Sequence, residues 1–277
     1  MQRSSNHFER LARAGYWAKG IVYILLGGLA LTSVFAGGSG EDSPEGALSS
    51  LLGAPMGRLV LAAIAIGLVG YVLWRLAQSV LNADDHDKDA LGIATRLGQF
   101  FSACANSILA FSAGALAFNG QASGDGGSSQ QSVVAMAMAQ PFGQWLVGGV
   151  GLIVVGAGIG QIYRGIVKDY EGRIAIPSDK KAFLDPVCQY GLIARGVVFA
   201  VIGGLIVYAA ITVSTDEAGG LRDALDWIRS QPFGAVFYGL TAAGLAAYGG
   251  YSIVQALYRR MDAPDGEDVK KMAPGKG

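Results

Sequence analysis

Charged residues are scarce in this chain of 277 residues, of which 15% are charged and 52% are hydrophobic. A soluble globular chain carries about 25% charged residues. The formal net charge is zero, so the chain offers no overall basic field for nucleic acid. Two cysteines (Cys104 and Cys188) and two histidines (His7 and His86) are too few and too scattered for a disulfide framework or a metal site built by the protein. We therefore expect no metal, no cofactor and no nucleic-acid partner.

Asp and Glu are missing from the long apolar runs of the sequence. A helix needs about 20 mainly apolar residues to cross the hydrocarbon core of a bilayer. Six runs without Asp or Glu are long enough, namely Ala14–Phe35, Gly57–Leu81, Leu97–Phe118, Gly143–Val167, Cys188–Val213 and Phe233–Leu257. We predict an all-α membrane protein with six transmembrane helices, forming a single membrane domain over residues 1–277.

Lys and Arg are concentrated at one end of these predicted spans. Only three of the 21 cations, Arg58, Arg222 and Arg229, lie in or beside the loops that follow spans 1, 3 and 5. Because cytoplasmic loops are the ones rich in Lys and Arg, both termini are predicted to be cytoplasmic. The polar segment 261–277 is predicted to be a disordered cytoplasmic tail.

Two sets of landmarks show that the sequence repeats internally. Pro55, Pro141 and Pro232 precede the even-numbered spans and are separated by 86 and 91 residues, and the glycines at 28, 114 and 204 are separated by 86 and 90. This common period predicts three two-helix units, residues 8–82, 94–168 and 186–260. Since every unit holds two spans, the units are parallel, which predicts a pseudo-threefold bundle. The prolines are expected in the first turn of each returning helix.

Glycine is abundant, with 42 residues in the chain. Small residues allow helix backbones to approach each other in lipid, where the hydrophobic effect does not drive helix association. We therefore predict helix-packing roles for the repeated glycines of the odd spans and for a GxxxG pair in span 4: Gly28, Gly114, Gly204, Gly156 and Gly160.

Several motifs resemble those of a known family. They are "ARAGYWAKGIVYILLGGLAL", its echo "YGLIARGVVFAVIGGLIVY", the "QPFG" helix starts and the ending "AAYGGYSIVQALYRRM". Together they resemble the bacterial membrane family catalogued as domain of unknown function 1206, over essentially the whole chain. The resemblance implies the fold and a location in the bacterial inner membrane, but no activity and no catalytic residue. The middle unit departs from the pattern, because Ala105 and Asn106 replace the pairs Lys19-Gly20 and Arg195-Gly196.

Lys19 and Arg195 are cations near the starts of otherwise apolar spans. Lys19 lies six residues past Arg13, hence about 9 Å deeper along the helix. Three interpretations are open: snorkelling that anchors the topology, a basic pocket between helices for an anionic headgroup or ligand, and a ring of charge around a pore. No span supplies an acidic partner, so a buried carboxylate relay is not expected.

Polar amides inside the spans offer a second set of candidates. Asn106 and Gln161 could line a polar path, or they could form ordinary hydrogen bonds between helices. We interpret Tyr248, Tyr251 and Tyr258 as packing and interface residues rather than as a ligand cage.

The sequence contains no catalytic motif within the spans, so an enzyme is not expected. The favoured hypothesis is a non-catalytic scaffold or accessory subunit that binds lipid, including anionic lipid, or another membrane protein or a second copy of itself. The alternative is a channel or facilitator for ions or small solutes, in which the amides would converge on a hydrated lumen.

Overall fold

The computed structural model describes residues 2–36, 44–82, 90–120, 134–140, 142–172, 174–213 and 221–259. The helices in these ranges are α1 (Gln2–Ala36), α2 (Pro44–Ser49), α3 (Gly57–Val80), α4 (Ala90–Asn119), α5 (134–138), α6 (Gly143–Val167), α7 (Ser178–Thr212), α8 (Leu221–Ser230) and α9 (Gly234–Tyr258). Two 3-10 turns cover Ser50–Gly53 and Asp169–Gly172. The described part of the chain contains no strand beyond an isolated bridge between Ile174 and Arg259, which confirms the all-α prediction. The predicted tail lies outside the described residues.

Five of the described helices are long and apolar enough to cross a membrane. They contain the segments Glu9–Val34, Gly57–Val80, Thr95–Asn119, Gly143–Val167 and Ser178–Thr212. Helices of this kind are typical of a multi-pass membrane protein, because each one satisfies its own backbone hydrogen bonds. The sixth predicted span corresponds to α9, which has 25 residues like α6 but is not among the five. Its role as a span therefore stays a prediction.

The long helices pack in a fixed order of neighbours, α4–α3–α1–α9–α7–α6. The three contacts between units are equivalent, since α3 packs on α4, α6 on α7 and α9 on α1. Within the first and third units, α1 packs on α3 and α7 on α9. No comparable contact joins α4 to α6 in the parts of these helices that the structure describes. The pseudo-threefold bundle stays a prediction, because the described parts of the middle unit lack the close helix contact that the other two units have.

The turns before the even-numbered spans have a common backbone conformation. Pro55 and Pro232 do not occupy the first helical turn as predicted but lie two residues before α3 and α9 begin, and Pro141 lies outside the described residues. The residue before each helix has a positive φ: Met56 at 62°, Phe142 at 65° and Phe233 at 61°. One residue in the left-handed backbone conformation therefore precedes each of these helices.

The first residue of each of these helices is a glycine for a steric reason. A Cβ at Gly57 would lie 1.8 Å from the carbonyl oxygen of Leu51, and one at Gly234 would lie 1.9 Å from the carbonyl oxygen of Arg229. Both distances are far below any real contact, so the helix start packs directly on the preceding segment. This explains why the motifs read "PMG" and "PFG".

Two of the three contacts between units are closed by matching glycine pairs. A Cβ at Gly249 would lie 2.6 Å from the carbonyl oxygen of Gly20, where α9 crosses α1. A Cβ at Gly158 would lie 2.6 Å from the carbonyl oxygen of Gly196, where α6 crosses α7. The repeat register places Val72 and Asn106 at the corresponding positions of the α3–α4 contact. That contact therefore has no glycine pair.

The glycines predicted as packing positions face open space instead. A Cβ added to any of the following would meet no heavy atom within 4 Å: Gly28, Gly114, Gly204, Gly156 and Gly160. The close contacts fall on neighbouring positions such as Gly27, Gly203 and Gly158. Because successive helix residues are about 100° apart, a shift of one or two residues moves a position off the packed face.

Candidate functional site

The Lys19 side chain is enclosed by the bundle. Its relative exposure is 2%, and its Nζ donates a hydrogen bond of 2.8 Å to the Tyr71 hydroxyl. The same nitrogen lies 4.5 Å from the centre of the Tyr71 ring and 5.3 Å from that of Tyr248. The ammonium is thus inside the helix packing, so the snorkelling interpretation does not describe Lys19.

Arg195 also lies against Tyr248. Its Cζ is 4.6 Å from the centre of the Tyr248 ring and 4.2 Å from that of Phe199. Its Nη1 donates to the side-chain oxygen of Gln161 on α6 at 2.5 Å, which joins two of the residues singled out in the sequence. Its Nε is buried and has no hydrogen-bond partner among the described residues. Tyr248 thereby links the two cations, and the interpretation of this tyrosine as packing alone is incomplete.

Arg75 is a third cation of the cluster. Its Nε donates to the Tyr71 hydroxyl at 2.8 Å, and its Nη1 donates to the Gln78 side chain at 3.1 Å. The Tyr71 hydroxyl therefore accepts from both Lys19 and Arg75. Arg75 does not stand out in the sequence, because it lies near the end of its predicted span, where most of the Lys and Arg residues are found.

The cation–tyrosine cluster, defined here as Lys19, Arg75, Arg195, Tyr71 and Tyr248, holds three positive charges. Within the described ranges, no carboxylate forms an ion pair with any of the three cations. The ion pairs that are present join Glu9 to Arg13, Asp169 to Arg164, Asp185 to Lys168 and Glu171 to Lys181.

Aromatic rings and hydroxyl groups provide the counter-interactions for these cations. A desolvated cation–π contact contributes about 2 kcal/mol, and a hydrogen bond to a charged group about 1.5–3 kcal/mol. These contacts lower the cost of burying the cations, and no acidic side chain in the described ranges pairs with them. Cations grouped in this way without acidic partners are typical of sites that bind anions.

The cluster follows the internal repeat. Lys19, Tyr23 and Tyr71 of the first unit correspond in register to Arg195, Phe199 and Tyr248 of the third. The Lys19 Nζ lies 6.0 Å from the Tyr23 ring centre, as Arg195 lies over Phe199. The middle unit has Ala105, Leu109 and Ala157 at these positions. The pattern is visible in the sequence when the returning helices are aligned by the repeat period, which places Tyr71 opposite Tyr248.

Asn106 does not join the cluster. Its side-chain amide donates 2.7 Å to the backbone carbonyl of Ser102, one turn earlier in α4. Gln161, by contrast, accepts from Arg195. The two amides that sequence analysis grouped together therefore have different environments.

A second set of contacts lies beside the cluster, on the side nearest the ends of the described chain. Arg259 donates 2.7 Å to the Tyr16 hydroxyl, and the Tyr16 and Tyr71 rings pack edge to face with centres 5.2 Å apart. Arg13 donates 2.6 Å to the carbonyl of Ala256 near the end of α9, where a cation complements the helix dipole. These contacts hold α1 against α9 beside the site.

The fold and the repeats place the chain among multi-pass helical proteins built from tandem two-helix units. The family model described as Domain of Unknown Function (DUF1206) matches residues 14–82, 97–168 and 190–259. The chain belongs to this family, and the resemblance drawn from its motifs is confirmed. Each matched segment falls within one of the three predicted units.

A relative from Bacillus subtilis (strain 168), called "Uncharacterized protein YxxB", is 36% identical to the chain over 265 residues. The alignment covers 94% of each of the two chains, so the likeness extends through all three units. No solved structure matches the chain.

Proposed function

We propose that this chain is a non-catalytic protein of the bacterial inner membrane that binds a phosphate-bearing anion, foremost the headgroup of an anionic lipid. In this proposal six spans form the pseudo-threefold bundle and both termini are cytoplasmic. The observation that carries the proposal is the cation–tyrosine cluster, whose three cations have no carboxylate partner among the described residues. Lipid binding of this kind suits a scaffold or accessory subunit.

Arg195 is the group best suited to touch the anion. Its side chain is half-buried, whereas Lys19 is almost fully enclosed. A guanidinium binds phosphate oxygens with parallel N–H donors, and the Arg195 Nε has no partner among the described residues. Lys19 and Arg75 strengthen the positive field behind it.

The lack of a close contact between α4 and α6 in the described ranges supports access from the bilayer. The positions that carry a cation and a tyrosine in the other units are here Ala105 and Ala157, and both are exposed. In this proposal, the small side chains of these two residues, on the helices at the two ends of the row, leave room for a lipid to approach the cluster from the bilayer. Basic pockets between helices are known to bind anionic headgroups in this way.

The channel alternative receives less support from the amides. It requires Asn106 and Gln161 to converge on one hydrated path, but Asn106 donates to its own helix and Gln161 accepts from Arg195. We therefore favour the accessory role over conduction.

The proposal is tested by analysing lipid and flux on the same purified protein. Lipids that co-purify with wild type and with Lys19→Met/Arg195→Gln are identified by mass spectrometry, with Arg164→Gln, an exposed cation on α6, as the matched control. Ion and small-solute flux is recorded in liposomes against empty vesicles. We expect silent vesicles, and we expect the double variant to retain one anionic lipid per chain fewer than wild type and the control retain.

Inorganic phosphate added during purification distinguishes the two anions that could occupy the site, a lipid headgroup and free phosphate. Displacement of the lipid by millimolar phosphate would assign the site to the free anion, and persistence of the lipid would assign it to the headgroup. Equal anionic lipid in all three proteins would refute the site, and flux that is present in wild type and lost in the double variant would replace the accessory role by conduction.

A further inference from the structure

A groove runs along the outside of the α3–α4 contact, with a volume of about 610 Å³. This volume lies in the range of small-molecule sites, about 300–1,000 Å³. Its lining is almost entirely apolar and includes Ile66, Val69, Leu73, Phe111, Gly114 and Phe118.

The groove lies at the contact that lacks the glycine pair. Where α9 meets α1 and α6 meets α7, glycines bring the backbones together, but α3 and α4 carry Val72 and Asn106 in this register. The groove also faces away from the cluster positions. Gly114 follows Ala105 by nine residues, or two and a half helical turns, which places the two on opposite faces of α4.

The length of the groove matches one leaflet of a bilayer. On α4 it extends from Ser107 to Asn119, which corresponds to about 18 Å of helix. Half of the hydrocarbon core measures about 15 Å. An acyl chain laid along the helices would therefore occupy the groove over the depth of a single leaflet.

A cation lies at the rim of this groove. The Nη2 atom of Arg58 is 3.1 Å from the position that a Cβ would take at Gly120, the residue that follows Asn119. Arg58 is exposed, and within the described ranges it has neither an ion pair nor a hydrogen bond from its side chain. It lies at the end of the bundle opposite the chain termini, where cations are rare.

We propose that the groove and Arg58 form a second lipid site, which holds one phospholipid with a net negative headgroup. The acyl chain lies along α3 and α4, and the phosphate faces the guanidinium of Arg58. The site lies at the other end of the bundle from the cation–tyrosine cluster and does not depend on it.

The test uses two substitutions, each with a matched control. Gly114→Leu fills the groove without a backbone clash, because a side chain at Gly114 has open space, and Gly204→Leu makes the same change at the equivalent open position of the third unit. Arg58→Gln removes the rim cation, and Arg222→Gln removes another exposed cation at the same end. Delipidated full-length proteins are titrated with dioleoyl phosphatidylglycerol or dioleoyl phosphatidylcholine, and bound lipids are counted by native mass spectrometry.

We expect Gly114→Leu to bind one lipid fewer than Gly204→Leu for either headgroup. We expect Arg58→Gln to bind phosphatidylglycerol about fivefold more weakly than Arg222→Gln does, with phosphatidylcholine unchanged, because one cation near the surface contributes about that factor. Equal lipid counts for the two leucine variants would refute the acyl groove. Equal phosphatidylglycerol affinities for the two glutamine variants would refute the headgroup contact at Arg58.

Discussion

The first and third repeats differ from the second in one coordinated way. Each outer unit has a cation, an aromatic ring one turn later and a tyrosine on the returning helix, as in Lys19, Tyr23 and Tyr71. The middle unit has replaced all three by Ala105, Leu109 and Ala157. A buried cation without aromatic partners would be costly. The middle unit lacks the cation and both rings, which indicates that these three residues function together.

The helix contacts show the same division. The contacts α9–α1 and α6–α7 are closed by glycine pairs, whereas α3–α4 has none and opens into the groove. One repeat sequence has thus produced two tight contacts and one loose contact.

The largest effect is expected from filling a tight contact. Gly158→Leu forces a side chain against the Gly196 carbonyl and should lower the free energy of unfolding by about 3 kcal/mol, the upper range for overpacking. Gly156→Leu, two residues away and facing open space, should change it by less than about 0.5 kcal/mol. Thermal unfolding in detergent, followed by circular dichroism, measures both. Similar losses in the two variants would remove the distinction between packed and open glycines.

A smaller effect is expected from the cluster. Tyr71→Phe removes the acceptor of both Lys19 and Arg75 and should lower the free energy of unfolding by about 2 kcal/mol. Tyr208→Phe, at an exposed tyrosine of α7, is the control and should be neutral. Adding Lys19→Met to Tyr71→Phe should recover part of the loss, because one of the two unpaired cations is removed. Additive losses in the double variant would show that Lys19 and Tyr71 are not coupled.

The smallest effect is expected at the open glycines. Gly28→Ala, Gly114→Ala and Gly204→Ala should each raise the free energy of unfolding by about 0.5 kcal/mol, since alanine is the better helix former and its methyl group meets nothing. Gly27→Ala should lower it, because a Cβ there would lie 2.5 Å from the Ala242 carbonyl. Destabilisation by the first three changes would restore the packing role predicted from the sequence.

Much of the architecture follows from the sequence. Long apolar runs without acidic residues predict membrane-length helices, and the spacing of the prolines predicts three tandem units. The packed glycines could not be assigned in this way, because Gly27 and Gly28 share one period and differ only in the direction they face. That direction is set by the neighbouring helices.

The candidate site could be predicted from the sequence only where a polar residue stands out in an apolar span. Lys19 and Arg195 stand out as cations in apolar surroundings, and Gln161 was identified as a polar residue of a span. Arg75 was not, since its distance from the helix end is typical of an interfacial cation and only the tertiary packing places it on Tyr71.

The most direct test of the account is the stabilisation of the delipidated protein by an anionic lipid. Binding to the folded state raises its stability by about 2.7 kcal/mol at a lipid concentration of 100 times the Kd. Every protein in this comparison carries Arg58→Gln, so that the second site does not contribute its headgroup contact. Phosphatidylglycerol should raise the Tm of the parent protein above the value in phosphatidylcholine, and this difference should vanish in Lys19→Met/Arg195→Gln. An equal rise in both proteins would contradict the assignment of the cation–tyrosine cluster as the anion site.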